Sequence, residues 1–523
     1  MTRRRGGTRF LSAAEAAALV EDGDLVAVEG SGGGVVEPDA LLRAIGHRFQ
    51  RSGRPRHLTV FHCFGIGDRR KEGLDHLAHE GLVRRAIGGH FGMSPAFTRL
   101  VTDGKVEAYN LPLGAMSHML RAAAARQPGV LTRVGLHTFV DPRVEGGRLT
   151  PRTTEDLVQV VSFAGGEWLF YPALPVQVAL IRGSSADPAG NIGMEEEPAF
   201  IQGLTLALAA RASGGIVIAQ VKRRVEAGAI PPKAVAVPGG LVDAVVVHPE
   251  QQQTWGGPYD PSLAGEPGAP KVGLQPMPLD ERKVVARRAA MELEAGAVIN
   301  LGFGMADGVA RVAAEEGIAD RITFTVEQGL WGGVPAPGLI FGAVHNPEAC
   351  IPVPSQMDFY HGGGLDIAFL GLAEADAEGN VNVSRFGGQL AGCGGFIDIT
   401  QHSRKVVFCG TFAAGGLRVA AQDGRLRILQ EGRHPKFVRQ VEQITFSGRY
   451  ARQQGQAVRY VTERAVFGLV PEGVVLLELA PGVDLQRDIL PLMGFSPILP
   501  AEVRPMDARL FAPEPIGLTA RFR

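Results

Sequence analysis

A chain of 523 residues is too long for one ordinary hydrophobic core, so two domains are expected, each able to bury its own. Its 53 Lys and Arg balance 54 Asp and Glu to a net charge of −1, which leaves no basic excess to neutralise phosphates and argues against a nucleic-acid partner. Cys63, Cys350, Cys393 and Cys409 stand far apart without Cys-x-x-Cys spacing, which argues against a disulfide framework or a thiolate zinc site and favours a reducing compartment.

Arg3, Arg4 and Arg5 open the chain, but the apolar stretch behind them is interrupted by Glu15 and leads into a capped helix rather than a cleavable signal. Ser12-Ala13-Ala14-Glu15 forms a capping box, Gly23 ends the helix, and the strand Leu25 to Val28 enters Gly30-Ser31-Gly32-Gly33-Gly34, followed by a second helix to about Phe49. The runs Val178 to Ile181, Ile216 to Ala219, Val298 to Asn300, Ile322 to Val326 and Val406 to Cys409 are short, β-branched and apolar on both faces, as strands covered on two sides by helices are. The expected class is α/β. No window approaches the roughly 20 uninterrupted apolar residues of a membrane helix, so the reading is a soluble, cytoplasmic protein with no membrane partner.

An internal repeat of about half the chain signals domain duplication. In the second copy Asp280 opens a helix, Gly296 ends it, and Val298 to Asn300 enters Leu301-Gly302-Phe303-Gly304. Val178 to Ile181 leads to an Asp187-x-x-Gly190-Asn191 turn, and Ile367 to Leu370 leads to Asp376-x-x-Gly379-Asn380. Gly23 and Gly296 lie 273 residues apart but Asn191 and Asn380 only 189, so the first half carries about 84 extra residues, somewhere within 65–170. The expected organisation is two homologous open α/β domains, residues 1–250 and 279–523, joined by a Gln-, Gly- and Pro-dense linker at 251–278.

Glu327 follows the strand Ile322 to Val326 directly, and Gln328, Gly329, Gly332 and Gly333 come behind it. The carboxyl end of a parallel strand is where open α/β sheets bind ligands, and glycines let a substrate approach the backbone. This suits a nucleophilic carboxylate, although a glutamate that caps the turn or faces water fits the same spacing. A second glycine cluster, Ala391-Gly392-Cys393-Gly394-Gly395, could hold an oxyanion on its amides or could be a turn chosen for conformation.

Other classes compete. Gly302-Phe303-Gly304 after a strand imitates the fingerprint of a nicotinamide-dependent oxidoreductase, but Asp307 stands where its third glycine belongs. His76, His79 and Glu80, with His90 as a third ligand, suggest a metal hydrolase, yet the order is His-x-x-His-Glu. A non-catalytic sensor on the same fold and an acyl-CoA hydrolase sharing the same Glu are further alternatives. Among lesser features, Glu195-Glu196-Glu197 reads as a solvated turn, Cys393 and Cys409 as buried small residues, and Trp331 as a candidate pocket wall.

Phe324-Thr325-Val326-Glu327-Gln328-Gly329 with Gly332-Gly333-Val334-Pro335 resembles the active-site signature of the family I coenzyme A-transferases, single-chain acetate or propionate type. Ala78 to Val83, Ile87-Gly88-Gly89-His90, Thr138 to Arg143, His361 to Asp366, Gly379 to Val383, Gly394 to Ile399 and Val406 to Phe412 extend the likeness over nearly the whole chain. The resemblance implies fused equivalents of the α and β subunits of two-chain relatives, assembled as a homodimer or homotetramer. It implies transfer of coenzyme A between an acyl-CoA and a short-chain carboxylic acid, with Glu327 forming an acyl anhydride and then a glutamyl-CoA thioester. By position it carries over Gly394 and Gly395 to the thioester carbonyl, and Gly32, Gly33 and Gly34 to the acyl pocket, with Gln328, Gly329, Gly332, Gly333 and Gly392 in the surrounding loops. Coenzyme A enters as substrate, and neither a metal nor a permanently bound cofactor is required. Glu327 must ionise to attack, so hydrogen bonds or nearby positive charge are expected to offset its burial.

Overall fold

In the strand Leu25–Val28 all four side chains are buried, although neighbouring residues of a strand point to opposite faces. The same holds for Leu58–His62 and all nine residues of Val178–Ala186, so the sheet that contains them is covered on both sides. The computed structural model describes residues 7–302 and 304–522; Arg3, Arg4, Arg5 and Phe303 of the sequence reading lie outside them.

The chain divides into two units that do not follow one cut in the sequence. The first is the chain up to Val272 with Glu327–Asp358 and Leu390–Asp398; the second is Gly273–Val326, Phe359–Gln389 and the chain from Ile399 onward. The segment 251–272, read as linker, is folded into the first unit: Gln251 and Gln253 are buried, the former donating to the Gly183 carbonyl at 2.9 Å and the latter to that of Glu196 at 2.7 Å. Glutamine is polar in composition but serves well as a buried hydrogen-bonding group, which composition alone does not distinguish from a solvated tether.

In the first unit the main path of the sheet runs Arg9–Leu11, Ala244–Val247, Ile216–Arg224, Val178–Ala186, Leu25–Val28, Leu58–His62, Val83–Gly88, Glu107–Asn110, all parallel. Alternate strand residues, among them Val26, Val60, Leu180, Ile218 and Val246, form one core with Ala16, Leu41, Leu42, Ile45, Phe97 and Val101. The helix Gly203–Ala212 packs on the strands Val178–Ala186 and Ile216–Arg224 and on the helix Leu113–Ala124. A separate three-stranded antiparallel sheet, Gly129–Thr132, Gly166–Pro172, Gln159–Phe163, falls in the stretch where the extra residues were expected, overrunning its limit of 170 by two residues.

The second unit orders Thr323–Val326, Val298–Leu301, Ile367–Gly371, Lys405–Cys409 and Ala457–Val461 in parallel, then turns antiparallel through Ala465–Val470 and Gly473–Leu479. Its core joins Ile299, Phe324, Ile367, Phe369 and Val407 to the buried faces of the helices Glu281–Ala290 and Gly308–Glu315. Below the end of Thr323–Val326, the Tyr360 hydroxyl meets the Thr325 hydroxyl at 2.9 Å and accepts from the Asn300 amide at 3.1 Å.

The duplication is exact in register. Val26 pairs with Val60 on one side and Val178 on the other; Ile299 pairs with Phe324 and Ile367. Three residues past Val60 stands Cys63, and three past Phe324 stands Glu327, so Cys63 holds in the first copy the place that Glu327 holds in the second. The two Asp-x-x-Gly-Asn turns close alike: Asp187 accepts the amides of Ala189 and Asn191, Asp376 those of Glu378 and Asn380. Ser12 and Glu15 cap each other as the capping box requires, but the helix stops at Ala17, and turns carry the chain to Gly23.

Candidate active site

Glu327 leaves the strand Thr323–Val326 as the first residue of a tight turn. Gly329 makes that turn possible. Its φ is +93°, and a Cβ there would stand 2.0 Å from the carbonyl oxygen of Ile351, whose backbone N–H donates to the Gly329 carbonyl at 2.8 Å. Gly333 is constrained in the same way by the His345 carbonyl, while Gly332, also at positive φ, faces the movable end of the Glu348 side chain. Gln328 is buried; its amide donates to the Ser31 hydroxyl at 3.2 Å and packs where Gly342 has no side chain, while its Oε1 finds no partner among the described residues. Trp331 is held by its indole N–H to Gln356 Oε1 at 2.7 Å.

The Glu327 side chain is half-buried with protein atoms dense around its carboxyl, and no hydrogen bond to that carboxyl is found among the described residues. Burial, and after it the like charge of Asp398, push its pKa up to about 7. Among the described residues, neither a hydrogen bond nor a positive charge offsets the burial of Glu327 as expected. The site instead makes a carboxylate that ionises reluctantly, and is correspondingly more basic and less stabilised when it does.

The glycine run 30–34 is clamped at both ends by buried glutamates. Glu29 accepts the amides of Arg182 at 2.9 Å and Gln202 at 3.3 Å; Glu37 accepts those of Gly67 at 2.9 Å and Gly34 at 3.2 Å. Burial pushes the pKa of each up to about 8. Arg182 ties the run down through the carbonyls of Gly34 and Glu37 while pairing with Glu197 at 3.0 Å. The run's glycines differ in necessity. A Cβ at Gly33 would lie 2.3 Å from the Leu339 carbonyl at a φ of +81°, whereas at Gly32 it would meet the flexible end of Met93 at 2.8 Å. Gly33→Ala is accordingly expected to unfold at lower temperature and lose most activity, and Gly32→Ala to keep its melting temperature with a changed KM; thermal melts and initial rates of both variants decide it.

In the loop 391–395 the Gly394 N–H donates to the Gly89 carbonyl at 2.7 Å and the Cys393 N–H to Asn110 Oδ1 at 2.9 Å. The Gly394 amide, carried over as a thioester-binding donor, is thus engaged within the protein. No partner is found for the Gly395 amide among the described residues. Gly392 has a φ of +89° and faces the Gly89 carbonyl and the Asn110 amide, so it serves the fit of this loop.

The histidines do not assemble as a hydrolase would need. His76 meets Glu72 at 3.0 Å and Asp39 at 3.2 Å, with Arg43 already bridging both carboxylates; His79 stacks on Phe49; burial holds His90 neutral with its pKa near 4. The trio Asp39, Glu72, His76 is the only such group among the described residues, and it shares just one member with the set read from sequence. Gly304 leads into a short 3-10 turn, Met305–Asp307, before the helix Gly308–Glu315, so no helix N-terminus abuts the strand end as a dinucleotide fingerprint requires. Glu195, Glu196 and Glu197 are not merely solvated: they pair with Arg223, Lys222 and Arg182. Cys393 and Cys409 are buried and unpaired, as expected. Ser31, Asn110 and Asp398 escaped the sequence reading. Ser31 and Asp398 sit inside blocks that were noticed, but nothing in their spacing marks a role.

Residues 10–248 match the family model described as Coenzyme A transferase. The chain is 45% identical over 516 residues to acetate CoA-transferase YdiF of Escherichia coli strain K12, covering 98% of this chain and 97% of that one. It is also 45% identical over 518 residues to caffeate CoA-transferase of Acetobacterium woodii, covering 98% of each. A crystal structure of the acyl-CoA transferase YdiF from Escherichia coli O157:H7, a thioester complex with CoA, matches with a TM-score of 0.93 at 44% identity over 99% of each chain. No helix among the described residues is long and apolar enough to cross a membrane.

Proposed function

Since the chain belongs to the coenzyme A-transferase family, as a single-chain member with fused α- and β-subunit equivalents, we propose that it passes CoA between short-chain acids through a glutamyl-CoA thioester on Glu327. The observation that carries the reading is Glu327 itself: a carboxyl at a parallel strand's end, on a turn only Gly329 permits, desolvated and without a hydrogen-bond partner.

The carboxylate attacks the acyl-CoA carbonyl, forming an anhydride and releasing CoA thiolate. The thiolate attacks the glutamyl carbonyl of the anhydride and frees the first acid as its carboxylate, leaving CoA on the enzyme. A second carboxylate attacks that thioester, and the thiolate released attacks its acyl carbonyl, restoring the Glu327 carboxylate. Each step exchanges one acyl bond for another, so no proton, electron or metal is consumed. Weak solvation of Glu327 raises its nucleophilicity, and the uncommitted Gly395 amide is a donor for the oxyanion that forms at each attack. The acids are proposed to be of the acetate, propionate, butyrate or acetoacetate class, and the assembly a homodimer or homotetramer in the cytoplasm. Of the sequence-derived domain limits, 1–250 and 279–523 stay as the proposed α- and β-like halves.

Acetyl-CoA alone should release one equivalent of acetate per active site and leave CoA on the protein through gel filtration. Acetate release only when a second acid is present would contradict the reading. The free enzyme's carboxyl also fixes a pH dependence. Protonated Glu327 cannot attack, so kcat/KM for acyl-CoA should fall about tenfold per pH unit below about 7 and level off above it, measured as initial rates across pH 5 to 9.

A further inference from the structure

We propose that Asp398 is a positioning residue of the transfer reaction: its carboxylate pins the glycine turn 392–395 against the first turn of the Leu113–Ala124 helix. The proposal rests on Glu327 being the nucleophile.

The helix Leu113–Ala124 begins after Pro112, which has no side chain to cap it, so its first amides need partners from elsewhere. All three, from Leu113, Gly114 and Ala115, are met by a segment more than 280 positions away. Leu113 N–H donates to the Gly394 carbonyl at 3.0 Å, Gly114 N–H to Asp398 Oδ2 at 2.9 Å and Ala115 N–H to Asp398 Oδ1 at 3.2 Å. Together with the bonds from Cys393 to Asn110 and from Gly394 to Gly89, they hold the turn between those two residues from either side. Gly395, whose amide is uncommitted, lies within this grip. Loss of the Asp398 carboxylate would leave two helix amides unpaired and release the turn that carries that donor.

The same carboxylate is the charge that bears on Glu327. Of the other titratable groups on which Asp398 bears, burial pushes the Cys63 thiol up to about 12 and lifts Cys393 and Tyr171 well above their ordinary values.

The test is Asp398→Asn, which keeps the shape and removes the charge. The acid limb of kcat/KM for acyl-CoA should move about one pH unit lower than in the wild type. A residue that only supports the fold would lower the rate and leave the limb where it was, so a folded Asp398→Asn protein with the limb still near 7 overturns the proposal. Should that variant not fold, hydrogen exchange of wild-type peptides covering 113–116 serves instead: protected amides at Leu113 to Ala115 support the pin, and exchange as fast as in an open loop overturns it. Failure of the nucleophile reads differently. The wild-type limb near 7 would then be missing altogether, and the role of Asp398 would fall with it.

Discussion

Glu327→Ala is expected to lower kcat/KM for acyl-CoA by at least about 10⁴-fold, because the residue is the covalent carrier. Removing the charge should at the same time stabilise the fold. The folded pKa of about 7 lies above the ordinary value of 4.5, so the folded protein holds a proton that the unfolded chain gives up between those values. Stability from this group is therefore complete below 4.5 and lost as pH rises through 7, where the ionised, desolvated carboxylate costs about 3 kcal/mol. Glu327→Gln, which keeps the volume without the charge, should melt above the wild type at pH 8 and together with it below about pH 4.5. Thermal melts at the two pH values check this, and an inactive variant that is also less stable at pH 8 would contradict it. A catalytic group that weakens its own fold is what strain stored for chemistry looks like.

Gly329→Ala carries the second large effect. Its Cβ would stand 2.0 Å from the Ile351 carbonyl oxygen, at a φ of +93° that side chains rarely adopt. The two penalties together should cost about 3 kcal/mol or more. Relief requires the turn to open, and a displacement of about 1 Å at Glu327 costs on the order of 10²-fold in rate. Activity should therefore fall even at temperatures where the variant stays folded, which kcat measured well below its melting point will show. Full activity there would mean that the turn does not set the position of Glu327.

The strands and the repeat were legible because their signals are local. Buried strands such as Val178–Ala186 are continuous apolar runs, and the Asp187 and Asp376 turns close through side chains two to four residues away. Glu327 and its glycines were legible for the same reason, as one contiguous block. What depends on distant partners was not. In sequence the Gly394 and Gly395 amides are equivalent, and only the fold brings the Gly89 carbonyl, 305 residues back in the chain, onto the first of them. Asp398 was one letter in a resemblance until Gly114 and Ala115 were found on its oxygens. Glutamine-rich composition suggested a tether at 251–278, whereas Gln251 and Gln253 are buried hydrogen-bonding groups. The missing counter-charge at Glu327 is likewise a property of the packed site, since any arginine in the sequence could have been its neighbour.

Borohydride reduction of the protein after incubation with acetyl-CoA, followed by peptide mass mapping, bears most directly on the carrier role of Glu327. The peptide spanning Thr323 to Trp331 should carry an alcohol in place of the Glu327 carboxyl, and only when acetyl-CoA was present. An unaltered Glu327 in protein that has released its acetate and retained CoA would place the covalent bond on another residue and end the account.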